Sequence, residues 1–322
     1  MMRHFRTVSD LDECRQIWQQ VMPADFITDL WEVRNCFQQH FRNRPNFIVI
    51  EDAGSICGLL PLSWIEESRC YGYFPGEIWH GKTWLEQNRI CFRGDTRPAD
   101  LLAQCPSSYH LRYLLPNPSR PHAEMTVDEI GYLFLPPNYD YDMQNYFREF
   151  SRKSIKQILR EVAAIEALGV AYRYDQSSDF DLMVEMNINR FGADSYFYDA
   201  RFREGFRSLA NFLYEKEWLR FTTVLINGEP AAVDMGCIYR GVYTVMAGGT
   251  HNQYRGVAKL INLHHMQRAC QQRLQRVDFL CGDFHWKKQF HLTPRPLFLL
   301  SSFASEISQA ANTEVSRKAV HV

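Results

Sequence analysis

Apolar positions recur along this chain with two periods, and the changes of period mark the elements. A short strand is expected over 3–7. Ser9 then caps a helix, with Asp10 and Asp12 in its first turn and Ile17, Trp18 and Val21 on its apolar side, and Pro23 stops it. Leu30, Val33, Phe37 and Phe41 recur at helical spacing and predict a second helix over 29–41. Two compact apolar strands follow at 46–52 and 56–64, joined at Ala53-Gly54. The stretch 69–97 is irregular and aromatic. A helix over 98–104 and a strand over 109–115 restore the α/β alternation.

Prolines 116, 118, 121, 136 and 137 then interrupt the pattern around a short apolar run at 130–135, which marks a candidate domain boundary. Beyond it, Phe147, Phe150, Ile155, Ile158, Leu159, Val162 and Ile165 predict one long helix over 141–168, ended by Gly169. A strand at 170–174 and helices near 178–190 and 199–217 come next. The clearest hairpin has strands at 220–226 and 231–239 around Asn227-Gly228, a type I′ turn signal. Arg240-Gly241 turns the chain again into 242–247. A helix over 255–275, a strand over 277–281, a short turn or helix over 283–290 and a strand over 297–300 complete the pattern, and the tail from 305 reads as frayed.

The region 242–288 organises the chain. An apolar strand ends in Gly248-Gly249, and a short loop leads through Gln253-x-x-Gly256-x-Ala258 into a helix. A helix start after a glycine-bearing loop presents free backbone N–H groups and a positive dipole end, which suits a phosphate or pyrophosphate. The candidate contacts are Gln253, Tyr254, Arg255, Gly256, Val257, Ala258 and Lys259.

Composition narrows the classes. The 322 residues fit two domains or one large one, and 46% hydrophobic with 23% charged is ordinary for a soluble globular protein. A net charge of −1 gives no bulk attraction to DNA or other nucleic acid. The nine cysteines are odd in number, with no two closer than eleven positions. That excludes CxxC metal or redox spacing and reads as buried free thiols in a reducing cytoplasm. The first residues show no secretory pattern, and no run of 18 apolar residues predicts a membrane span. No metal is expected, because the adjacent His264 and His265 lack a spaced carboxylate partner.

One motif matches by letters alone. Gly76–Thr83 satisfies G-x-x-x-x-G-K-[ST], but Pro75 precedes it and Trp79 and His80 fill positions where main chain must close on phosphate. It is expected to be a cleft-lining loop, with Trp79, Lys82 and Trp84 as candidate substrate contacts.

The three-stranded meander followed by Gln253-Tyr-Arg-Gly256-Val-Ala258 resembles the GNAT acyltransferase superfamily and its Q/R-x-x-G-x-G/A pyrophosphate loop. Ser151-Arg-Lys, Asn227-Gly-Glu-Pro-Ala-Ala232 and Val277-Asp-Phe-Leu-Cys-Gly-Asp-Phe-His-Trp-Lys287 further resemble the CelD/BcsL-like group linked to cellulose and exopolysaccharide synthesis. Trp286 stands where that group has a tyrosine. The resemblance implies an α/β (α+β) chain of two GNAT-like domains in tandem, 1–140 and 141–322, each a mixed, mostly antiparallel sheet flanked by helices. It implies acyl transfer, typically of acetyl, from acetyl-CoA or another acyl-CoA to an amine or hydroxyl of a saccharide or other small molecule. Two alternatives stand beside it. One is a Fem-like transferase using aminoacyl-tRNA, the only reading that brings in tRNA. The other is a silent GNAT-fold binding protein in polysaccharide synthesis. Oligomeric state is left open.

Removing a proton from the acceptor needs a base, directly or through water. Asp234 lies in an otherwise apolar strand, and Asp283 lies at the end of a buried one. Lys287 could stabilise an oxyanion, and Trp286 beside it is a further candidate substrate contact. The plain alternatives are a solvent-facing carboxylate, a helix cap and a surface lysine.

Overall fold

The early apolar runs fold as a strand layer with two helices on it. In the computed structural model, which describes residues 3–116, 125–282 and 285–303, β1 (His4–Val8) leads to α1 (Leu11–Val21) and α2 (Trp31–Phe41). β2 (Arg44–Asp52), β3 (Ser55–Ile65), β4 (Cys70–Tyr73) and β5 (Cys91–Phe92) follow. These strands pair in the order β1-β2-β3-β4, with β5 beside β3. Trp18, Phe47 and Phe74 pack at their centre. Asp10, rather than Ser9, caps α1: its carboxylate accepts from the Glu13 N–H at 2.9 Å.

α3 (Pro98–Leu102) packs on the first sheet, with Leu101 in its core, and the second layer comprises β6 (His110–Leu114), β7 (Thr126–Phe134), α4 (Met143–Phe147), α5 (Arg152–Glu166), β8 (Val170–Tyr174), α6 (Asp179–Phe191), α7 (Ala200–Glu215), β9 (Leu219–Ile226), β10 (Glu229–Tyr239), β11 (Val242–Thr250), α8 (Val257–Gln271), β12 (Arg276–Asp278), α9 (His285–Gln289) and β13 (Thr293–Ser301). Its eight strands run β6-β13-β7-β12-β11-β10-β9-β8. Neighbours are antiparallel except β11 and β12, which are parallel and joined by the crossover helix α8.

Two expectations change here. β6 and β7 precede residue 140 yet belong to the second sheet. Val277 of β12 lies opposite Phe134 of β7, and Phe298 of β13 opposite Leu114 of β6. The change of sheet therefore falls before the proline-rich link, between β5 and β6. The helix expected over 141–168 is two helices. Ser151 is extended (φ −62°, ψ 148°) and its hydroxyl accepts from the Ser154 N–H at 3.1 Å, so it starts α5 instead of continuing α4.

Alternation along β9 and β10 sends side chains to two cores. Phe221, Val233 and Met235 meet α6 and α7 on one face. Val224 and Ala232 meet α5 and α8 on the other. α2 of the first layer joins the α6/α7 core: Phe37 lies 5.4 Å from both Trp84 and Phe206. Among the described residues no helix is long and apolar enough to cross a membrane, and none forms a group of three or more acidic, His or Cys side chains able to hold a metal ion. All nine cysteines are free.

Candidate active site

The parallel pair opens as it leaves its short common stretch. β11 and β12 pair only from Val242–Thr244 to Arg276–Asp278. Register between β10 and β11 slips at the same level: Met235 faces Ala247 and Gly236 faces Val245, so Met246 bulges. Beyond the bulge β11 runs on to Thr250 beside β10, while the chain after Asp278 follows β7, where Phe279 N–H donates to Tyr132 at 2.9 Å. A wedge-shaped gap results, where β11 has left β12 and side chains meet two of its carbonyls, the Trp84 indole at Met246 and the Asn187 amide at Gly248.

The loop at the end of β11 leads straight to the start of α8. Gly256 caps that helix at φ +90°, a conformation glycine adopts readily. The N–H groups of Arg255, Gly256 and Ala258 find no hydrogen-bond partner among the described residues. Three donors at a helix start form an anion site. Gln253, Arg255 and Ala258 are exposed there, and Tyr254 is half-buried against His251. Two expected contacts are turned elsewhere: Val257 is buried in the α5/α8 core, and the Lys259 ammonium is paired with Glu161 of α5.

The loop from Gly76 to Thr83 holds an anion of its own. Buried Glu77 accepts from the Thr83 hydroxyl at 2.6 Å and from the N–H groups of Trp84 and Leu85 at 3.2 and 2.8 Å. Trp79 and Lys82 close a tight hairpin instead of opening a helix, which disposes of the phosphate-loop pattern. Trp79 stacks near Tyr198, and Lys82 Nζ donates to Asp194 Oδ1 at 3.1 Å. Trp84 reaches the bulge: its indole N–H donates to the Met246 carbonyl at 3.2 Å. Trp84→Phe keeps a ring against Phe206 and loses that donor. We expect a cost of about 1 kcal/mol in urea unfolding at constant m-value; an unmoved midpoint would show the bond idle.

Residues 86–88 continue into the wedge and were not expected. Cys281 N–H donates to Glu86 Oε1 at 2.8 Å, and Gln87 Nε2 donates to Asp278 Oδ2 at 3.0 Å. Asn88 is stitched to β6 through its N–H to Tyr113 at 2.9 Å. Each of the three keeps a buried oxygen with no hydrogen-bond partner among the described residues: Glu86 Oε2, Gln87 Oε1 and Asn88 Oδ1. Gln87 has φ +63°, rare for a side chain of its size. The one visible signal is a polar run of four, Glu86-Gln-Asn-Arg89, between Leu85 and Ile90 in an aromatic stretch.

Around them lies a buried network of charge. Asp278 is 1% exposed and accepts from Arg295 at 2.7 and 3.1 Å and from Leu280 N–H at 3.0 Å. Lys287 is 2% exposed. Its ammonium donates to the carbonyls of Phe279, Leu280 and Cys281 at 2.9, 3.0 and 2.7 Å. Burial lowers its pKa to about 8, against the pull of Glu86 and other neighbouring acids. Three donors serving three carbonyls make Lys287 the clamp of this turn rather than a surface cation.

Other expected residues fall outside the wedge. The Asp234 carboxylate lies beneath α8, where His265 Nε2 meets it at 2.9 Å. It fits there because Gly248 opposite has no side chain; a Cβ would stand 2.0 Å from Asp234 Oδ1. His264 also turns to the sheet, stacked 3.8 Å from Tyr172, and burial lowers its pKa to about 4. Trp286 packs edge-on between Phe279 and Phe290. Asp283 lies outside the described residues.

A meander, a helix start with free N–H groups and a parted parallel pair define the GNAT type of acyltransferase fold. Residues 151–288 match the family model described as an acetyltransferase (GNAT) domain. A conserved protein of unknown function from Bacteroides thetaiotaomicron VPI-5482 shares the fold with a TM-score of 0.58, 13% identity, and coverage of 92% of this chain and 99% of that one. FemX follows at 0.55, 8% identity, 91% and 96% coverage. L-PGS from Bacillus licheniformis gives 0.53, 10% identity, 87% and 94% coverage. At such identities the likeness is one of fold. No curated protein matches the chain.

Proposed function

We propose that this protein transfers an acyl group from an acyl-CoA thioester to an amine or hydroxyl of a saccharide or other small-molecule acceptor. The parting of β11 from β12 beside the start of α8 carries this reading. An acyl-CoA has two recognisable parts. Its pyrophosphate suits the free N–H groups of Arg255, Gly256 and Ala258. Its pantetheine arm carries two amides on an extended chain, which suit the edge of β11 that β12 leaves, where the Trp84 indole and the Asn187 amide now occupy the Met246 and Gly248 carbonyls. The thioester then lies at the level of Met246 and the residues around Trp84. Trp79 and Lys82, on the same approach, are the acceptor contacts in this reading.

The chemistry needed is attack of the acceptor on the thioester carbonyl, loss of the acceptor proton, and departure of the CoA thiol. Holding both reactants in one wedge removes most of the entropic barrier. No protein-bound metal is required by this scheme.

Acetyl-CoA titration by calorimetry is the test. The wild type is expected to bind. Gly256→Glu should weaken binding at least ~100-fold with an unchanged circular dichroism spectrum, because it sets a carboxylate against the pyrophosphate. A Cβ at that φ also strains the loop and meets Ile165 Cδ1 at 3.1 Å. Normal affinity in the variant would refute the loop assignment. A folded wild type that does not bind acetyl-CoA would refute acyl-CoA as donor and favour the aminoacyl-tRNA or silent-binding alternative.

A further inference from the structure

We propose that the cavity between Arg34 and Glu77 binds a small zwitterion, an α-amino acid of glycine or alanine size, with its carboxylate toward Arg34 and its ammonium toward Glu77. The site is separate from the acyl-transfer wedge and does not rest on that reading.

Residues 83–88 divide two spaces. Trp84, Glu86 and Gln87 bond the second sheet and the chain beyond it. Thr83, Leu85 and Asn88 instead line a cavity walled by α2, β4, residues 76–78 and β6, of about 290 Å³ with its mouth included. Two of its walls carry charge, and both are almost wholly buried: Arg34 is 1% and Glu77 2% exposed. Arg34 donates from Nε to the Thr28 carbonyl at 2.8 Å and from Nη1 to the Phe74 carbonyl at 3.2 Å, both neutral partners. Glu77 takes the Thr83 hydroxyl and the N–H groups of Trp84 and Leu85 on one oxygen, Oε1. Among the described residues, no other residue hydrogen-bonds Arg34 Nη2 or Glu77 Oε2. Neither atom is shut off from the cavity, unlike Asn88 Oδ1 in the same wall.

Each of the two feels the other's charge, yet no ion pair joins them among the described residues. Buried opposite charges normally meet, because contact is what offsets their lost water. Held apart across a cavity, they call for a polar occupant that accepts from one and donates to the other. Asp29, the other acid that Arg34 feels, is spent on Arg89 at 3.1 Å and on the N–H groups of Asp25 and Phe26.

The remaining walls narrow the class. Arg112 is spent on Asp128 and Glu129. His110 Nδ1 meets the Ser301 hydroxyl at 3.2 Å, and burial beside Arg112 lowers its pKa, which leaves the ring neutral at pH 7. One positive and one negative group are therefore left to answer. A simple anion would set its charge against Glu77, and a simple cation against Arg34. A zwitterion satisfies both and adds no net charge. The site is also held in place beforehand: Arg34 lies over Trp18 and Tyr73 at 5.6 and 5.1 Å, and Thr83 orients Glu77 at 2.6 Å.

Calorimetric titration of the full chain with glycine and L-alanine, at pH 7 and fixed ionic strength, tests this. Binding with a Kd of about 1 mM or below is expected. Acetate and methylammonium, each carrying one end, should bind at least ~10-fold more weakly. Glu77→Gln keeps an acceptor for Thr83, Trp84 and Leu85, and should cost glycine at least ~10-fold in affinity. Gly256→Glu, at the acyl-CoA loop, should leave glycine binding unchanged. Glycine should also raise the urea midpoint of the wild type more than that of Glu77→Gln, a difference that removes its general effect as an osmolyte. A folded wild type that binds neither amino acid overturns the proposal and leaves the cavity to water. Equal affinity in Glu77→Gln overturns it too, as does acetate or methylammonium binding as tightly as glycine. Loss of glycine binding in Gly256→Glu would put the ligand in the wedge and equally overturn it.

Discussion

Asp278→Ala is expected to cost about 3–5 kcal/mol in folding stability, the range for breaking a buried pair from one side. The carboxylate satisfies the Arg295 guanidinium twice, the Gln87 amide and the Leu280 N–H. Removing it leaves the Arg295 side chain, only 13% exposed, without its paired carboxylate and with Glu86 as a more distant counter-charge. The cavity is a lesser term, since few methylene equivalents are lost. Asp278→Asn retains an acceptor for Leu280 or Arg295 and should cost roughly half as much. Urea unfolding of both variants beside Arg295→Met completes a double-mutant comparison. If Asp278→Ala costs less than about 1 kcal/mol, the pair is not what holds the end of β12.

Lys287→Met is the second large effect, and its sign is less obvious. Replacing a buried charge with an unbranched apolar chain is often harmless when both partners go. Here only the donor goes. The carbonyls of Phe279, Leu280 and Cys281 stay behind, in a turn where Leu280 has φ +56°. The Leu280 carbonyl keeps the Tyr132 N–H at 3.2 Å, so at ~1 kcal/mol or more for each of the other two the loss is about 2 kcal/mol. The lysine also leaves a pH signature. With its folded pKa lowered to about 8 from 10.5, the unfolded chain binds more protons between those values, so its contribution to stability rises with pH there. Chemical denaturation at pH 7 and pH 10 should show Lys287→Met lacking that rise. A variant as stable as wild type at both would remove the clamp assignment.

Local signals were legible in the sequence where a single residue carried the geometry. Asn227-Gly228 marks the hairpin because its turn needs positive φ, and both residues have it. Gly256 marks the start of α8 for the same reason. The bend at Ser151 was hidden under seven well-spaced apolar residues, because a cap interrupts a helix without disturbing its period. Asp234 and Lys287 were visible as polar residues in apolar surroundings, but their partners, His265 and three main-chain carbonyls, depend on how α8 and α9 lie. Glu86 was least legible. Its importance comes from Cys281, 195 positions away, and no periodicity surrounds it. Burial of a charge by a distant segment leaves no local trace beyond an unexpectedly polar word in an apolar stretch.

The placement of β6 and β7 in the second sheet limits how this chain can be divided. The family-matched span, 151–288, contains neither strand, nor β13, nor the Trp84–Asn88 segment that enters the wedge. Excised alone, it would expose one flank of β12 and lose the Trp84–Asn88 segment beside β11. In modular terms, the matched domain is a socket whose plug is encoded upstream. Recombination or truncation at the proline-rich link would separate the two, so the halves are expected to be inherited together.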